Sequence, residues 1–232
     1  MLLIKLNYKE MSLKLIIFTL IFGIGTFLTK NANAVEIVPP ELTEILDIYR
    51  QSESIILEVR KIQKNVMLDK EVTYKGMIRF VKGKFYWETT DPEKNLVVYD
   101  GKTLWTVQYP PSEFKEMPLQ VAKMSIKSKK NSPIILAEIF GTRPIQSIFK
   151  VKQKSKDGAL VNYELKEKKS EFGLKNLILK IDTKEKRVAS IEYLDEVENE
   201  TKLEFRSTQF NIKVKQSLFN YKPPKNAKVT EY

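Results

Sequence analysis

The amino-acid sequence predicts a mainly β chain with a minor helical part, in which an antiparallel sheet curls toward a barrel. Two observations carry that expectation. Short segments alternating apolar and polar residues recur along the chain, and turn-forming clusters separate them at regular spacing. The densest stretch is residues 76–109, where two hairpins flank an aromatic strand.

Pro39 and Pro40 open a helix in which Leu42, Ile45, Leu46 and Tyr49 fall at i, i+3, i+4 and i+7, forming one apolar stripe. A strand follows, with Ile55, Leu57 and Val59 on one face and Glu58 and Arg60 on the other. The next strand spans residues 71–82, where Gly76 marks a bulge or a close packing contact. Phe85, Trp87 and Thr89 share one strand face, and Tyr86 and Glu88 share the opposite one. The apolar runs 96–99 and 103–107 are separated by Asp100-Gly101-Lys102, a hairpin signal because the turn needs positive φ.

Tyr109-Pro110-Pro111-Ser112 breaks the strand pattern, and residues 123–131 read as a basic loop. A short helix is then expected, with Ser132 as N-cap, Pro133 at the first helical position, and residues 134–140 ending at Gly141. It is apolar almost all round, so it needs cover from protein or from a greasy ligand. Five more strands are expected at 148–152, 160–166, 177–181, 188–194 and 203–210, separated by turn-rich segments. No internal repeat or interdomain linker interrupts this pattern.

At the N terminus, Lys5, Lys9 and Lys14 precede the apolar run 15–28, and Ala32-Asn33-Ala34 supplies the small residues that a signal peptidase reads. Residues 1–34 are therefore expected to be a signal peptide and residues 35–232 a single domain, soluble after processing. The absence of cysteine leaves no residue at the cleavage site for a lipid anchor and no disulfide to hold the fold.

The chain also has no histidine, so the commonest metal ligands, nucleophile pairs and general base are missing. Glu88, Asp91 and Asp100 could form a carboxylate pair, but each is explained by a strand face or a turn. No catalytic residue, metal or cofactor is expected. The formal charge is +11, falling to +8 without the four lysines and one glutamate of the leader. For an exported chain this favours anionic lipid or acidic proteins over nucleic acid.

Gly76, the Phe85-x-Trp87 pair, Pro92 and the run Asp100-Gly101-Lys102-Thr103-Leu104-Trp105 together resemble the LolA family of periplasmic lipoprotein carriers. Leu42 and Leu46 resemble its first helix, Ser132-Pro133-Ile134-Ile135-Leu136 its lid segment, and Phe219-Asn220-Tyr221-Lys222-Pro223-Pro224 its Phe-x-Phe-x-Pro-Pro strand. The resemblance implies a half-open antiparallel β-barrel with an N-terminal helix and short lid helices over its concave face. It further implies an acyl-chain cavity lined by Leu42, Leu46, Leu57, Val59, Phe85, Trp87, Leu96 and Val98, under a lid of Ile134, Ile135 and Leu136.

Lys82 stands where the family carries a lid-holding arginine, although lysine lacks the planar guanidinium fork. Lys123, Lys127, Lys129 and Lys130 are the expected transient contacts with a membrane surface or a transporter. The implied partners are acylated lipoproteins as cargo, an inner-membrane ABC transporter that releases them, and an outer-membrane receptor, with the carrier a monomer. A general lipid or glycolipid carrier and an envelope-stress sensing module remain open as alternatives on the same fold.

Overall fold

The computed structural model describes residues 38–126, 134–141, 143–169 and 172–232. Helix α1 (Pro40–Gln51) leads into strands β1 (Ile55–Asn65), β2 (Lys70–Val81), β3 (Lys84–Asp91), β4 (Asn95–Tyr99), β5 (Thr103–Gln108) and β6 (Gln120–Ser125). Helix α2 (Ile134–Ile139) comes next. Strands β7 (Phe149–Asp157), β8 (Leu160–Glu167), β9 (Lys175–Asp182), β10 (Arg187–Leu194) and β11 (Glu200–Phe210) follow, and β12 (Lys228–Glu231) is last.

All twelve strands belong to one sheet, in the order β12-β6-β5-β4-β3-β2-β1-β11-β10-β9-β8-β7. Two antiparallel meanders, β1 to β6 and β7 to β11, are thus joined where β1 pairs with β11, from Ile55 opposite Phe210 to Lys64 opposite Glu200. The edges β12 and β7 do not pair, so the barrel is open. The sheet is nevertheless strongly curved: Thr106 of β5 and Tyr193 of β10, six places apart in strand order, line one cleft.

Helix α1 buries the stripe expected of it, Leu42, Ile45, Leu46 and Tyr49. Proline occupies its first turn, where the missing N–H costs nothing, and the Leu42 and Thr43 N–H groups both donate to Pro39 O at 3.1 Å. The ten expected strands are present. Gly76 combines both properties anticipated for it. The β2–β3 register shifts between Lys75 and Gly76, and a Cβ at Gly76 would lie 2.1 Å from Glu88 O.

Three expectations need correction. Lys123 is not in a loop but in β6, where its ammonium pairs with Glu231 at 2.8 Å. That strand exists because β5 and β12 both bond to it, the latter in parallel, a long-range pairing that leaves little local trace. The segment beginning at Phe219 is not a strand; Gln216–Phe219 forms a 3₁₀ turn, and Tyr221 and Ala227 continue across the sheet's outer face. Finally, α2 ends at Ile139, one residue short of Phe140. Ser132 and Pro133, its expected cap, lie outside the described residues, as do Lys127, Lys129 and Lys130.

Candidate functional site

Pairing decides which side chains share a face. Leu57 lies opposite Ile78, Ile78 opposite Trp87, and Phe80 opposite Phe85, so β1, β2 and β3 present one continuous apolar surface. Val188, Leu203 and Phe205 of the second meander belong to the same cluster, together with α1 and α2. This is the concave face. Leu42, Leu46, Leu57, Val59, Phe85 and Trp87 all lie in it, as does the α2 pair Ile135 and Leu136.

Leu96 and Val98 do not belong there. Phe85 pairs with Tyr99 and Trp87 with Val97, so the odd-numbered residues of β4 face inward and the even-numbered ones outward. Leu96 and Val98 form a second cluster with Val107 and Val121, packed by Tyr86, Trp105 and Tyr221. Periodicity alone had made the whole run 96–99 apolar; the C-terminal segment that covers its outer face explains why both faces are greasy.

The two helices fill the concave face as a plug. Leu42, Leu57, Phe85, Ile135 and Leu136 are each 0% exposed, so no apolar void remains among them for an acyl chain. Burial of this kind stabilises by about 1.5–3 kcal/mol for each large apolar side chain.

Polar contacts fix α1 at both ends. Tyr163 Oη donates to Glu41 Oε1 at 3.2 Å, and Lys186 Nζ pairs with Glu44 at 2.6 Å. At the other end Tyr49 Oη accepts the Val188 N–H at 2.9 Å. Burial pushes the Tyr49 phenol above its ordinary pKa; burial and the neighbouring Glu41 carboxylate do the same to Tyr163.

By contrast, α2 is held by the burial of Ile135, Leu136 and Ile139, and Phe140 just beyond it packs on Tyr49, Phe80 and Phe205. Glu138 forms an ion pair with Arg143 just beyond it. Lys82 sits in the β2–β3 turn at φ 42° and lines a 390 Å³ cleft with Tyr49, Phe80, Ala137 and Phe140. It stands beside α2, but among the described residues its ammonium makes no hydrogen bond or ion pair.

The residues that sequence reasoning missed lie at the other end of the concave face. A 320 Å³ pocket there is lined by Lys61, Gln63, Tyr74, Trp87, Thr106 and Tyr193, among others. Lys61 continues the inward column of Ile55, Leu57 and Val59, and that alternation was the available signal. Its ammonium stands 5.3 Å from the Tyr74 ring centroid and 5.8 Å from that of Trp87. A larger groove of 730 Å³ opens on the outer face among Glu58, Arg60, Arg79, Glu88 and Arg206.

The family model described as outer membrane lipoprotein carrier protein LolA matches residues 61–222. The chain is 27% identical over 154 residues to the outer-membrane lipoprotein carrier protein of Chromobacterium violaceum, a match covering 63% of this chain and 66% of the relative, just under two thirds of its length. It is 26% identical over 175 residues to that of Alcanivorax borkumensis, covering 72% of this chain and 78% of the relative. Among solved structures it is similar to a LolA superfamily protein from Nitrosomonas europaea, at TM-score 0.43 and 11% identity, covering 79% and 97% of the two chains. It is also similar to a chain of the Pseudomonas aeruginosa MucA/MucB complex, at TM-score 0.41 and 10% identity, covering 82% and 62%. With well over half of its length inside the family model and the family's aromatic strand and Asp-Gly-Lys hairpin in place, this chain belongs to the LolA family of outer membrane lipoprotein carrier proteins.

Proposed function

We propose that this protein is exported, loses residues 1–34, and as a soluble periplasmic carrier takes acylated lipoproteins from an inner-membrane ABC transporter to an outer-membrane receptor. One observation carries the reading: an open sheet whose apolar concave face is closed by two helices rather than by its own edges. Such a face can be uncovered without breaking a single strand pair.

The energetics suit a carrier. At about 0.8 kcal/mol per methylene, one long acyl chain represents roughly 12 kcal/mol of gross transfer from water, so it must be shielded in transit. The plug offsets part of this, because the helices bury the same face when no cargo is present. Hand-over to a receptor with a comparable cavity is then close to balanced. The protein performs no chemistry on its cargo in this scheme. Leu42, Leu46, Leu57, Val59, Phe85 and Trp87 form the acyl-chain wall, and α2 with Ile134, Ile135 and Leu136 is the lid.

The test uses the absence of native cysteine. Lys82→Cys and Ala137→Cys, which both line the cleft beside α2, are bridged with a disulfide-containing bis-maleimide. Loading with an acylated lipoprotein should be lost in the bridged protein and regained on reduction. Full loading with the bridge confirmed intact would show that cargo enters elsewhere and would overturn the lid.

A further inference from the structure

At Lys61 the inward column of β1 changes character. Ile55, Leu57 and Val59 are buried in the apolar cluster, and the next inward residue is a cation. Among the described residues no carboxylate forms an ion pair with it. Its environment is the π faces of Tyr74, directly opposite on β2, and of Trp87 on β3. Glu93 also lines the pocket but makes no ion pair with Lys61. Burial lowers the Lys61 pKa, with no opposing contribution from a nearby anion.

Trp87, which lines the same pocket, carries a second unpaired donor among the described residues. Trp87 is 7% exposed, and among the described residues its buried Nε1–H has no hydrogen-bond partner. Unpaired buried donors are costly and uncommon in native proteins. Here an ammonium with no paired anion and the ring of a tryptophan whose indole N–H lacks an acceptor line one pocket. Around them Gln63, Thr106 and Gln108 supply a polar rim, while Val97 and the Trp87 ring join the pocket to the apolar interior.

We propose that Lys61 and Trp87 form a headgroup site at the open end of the half-barrel, which takes the oxyanion of a lipid, a carboxylate or a phosphate, whose chain runs along the concave face. This rests on the reading of that face as an acyl-chain wall. It adds negatively charged amphiphiles to the cargo, since an uncharged acyl linkage would leave the ammonium without a counter-ion. The alternative in which Lys61 only extends its stem along the wall predicts no dependence on headgroup charge.

The experiment compares binding of palmitate with binding of 1-hexadecanol, of equal chain length, by calorimetry below their aggregation limits, with inorganic phosphate as a competitor. The wild-type protein should prefer palmitate by roughly tenfold, the scale of a charge-assisted hydrogen bond. Lys61→Met, which keeps the apolar stem, should bind both equally and still melt cooperatively; Lys61→Gln serves as the second variant, and Trp87→Phe should lose part of the preference. Equal wild-type affinities would overturn the headgroup site while leaving the acyl-chain wall intact. Failure to bind either amphiphile would overturn both. Displacement of palmitate by inorganic phosphate at comparable concentration would assign the pocket to a free anion and overturn the lipid form of the proposal.

Discussion

Phe140, the residue that follows α2, stacks on Tyr49 of α1 with ring centroids 4.8 Å apart and planes inclined by 17°. The two helices are thereby fastened to each other as well as to the sheet. Phe140 also meets Phe80 and Phe205 edge-on, at 5.5 and 5.7 Å. Phe140→Ala should therefore cost about 3–5 kcal/mol in urea unfolding. It should also speed the uptake of a fluorescent acyl probe, because the closed state loses contacts that an open state never makes.

Tyr49→Phe keeps the ring and removes the acceptor of the Val188 N–H. The buried N–H is then unsatisfied, so a loss of about 1–3 kcal/mol is expected in the same unfolding measurement. The pH dependence follows from the raised phenol pKa, caused first by burial. The stability linked to the neutral phenol is fully present below the unfolded value of 10.0 and is lost as pH rises from there through the folded value. Wild-type stability should decline above pH 10 more steeply than that of Tyr49→Phe, by about 1.4 kcal/mol per pH unit.

Gly76→Ala places a methyl group against backbone, 2.1 Å from Glu88 O and 2.9 Å from Thr89 Cα. Neither atom is the end of a flexible side chain, so β2 and β3 must separate locally. A loss of roughly 1–3 kcal/mol is expected. Hydrogen exchange should localise it to the β2–β3 pairing; uniform protection of both strands in the variant would contradict this.

The two apolar faces can be told apart by substitution. Leu96→Ala opens space in the outer cluster and should lower stability by about 2–5 kcal/mol without changing acyl-probe affinity per folded molecule. Phe85→Ala removes a ring that packs on Phe80 and Tyr99 within the concave face, and it should change both stability and affinity. Equal effects on probe affinity would place Leu96 in the cavity after all.

Local patterns made most of the fold legible. The α1 stripe, the Asp100-Gly101 hairpin and the alternation of β1 to β5 are short-range signals, and each reappears in the structure. What could not be read depends on distant partners. Strand β6 takes one of its two partners from β12, more than a hundred residues later, and the outward face of Leu96 and Val98 is covered by Tyr221. Lys61 was legible in principle, since it continues the Ile55, Leu57, Val59 column. A charged residue in a strand reads as solvent-facing until Tyr74 and Trp87 are seen around it.

The open sheet carries one further consequence at its margins. The long outer strand β7 bears Lys150, Lys152, Lys154 and Lys156, all exposed, and the opposite margin is β12, only four residues long. Neither invites another strand to zip alongside, because repeated positive charge and short length both disfavour strand addition. In the proposed carrier, a protein that unplugs a greasy trough would thus separate two hazards. It can become sticky across its hollow without becoming sticky along its rims.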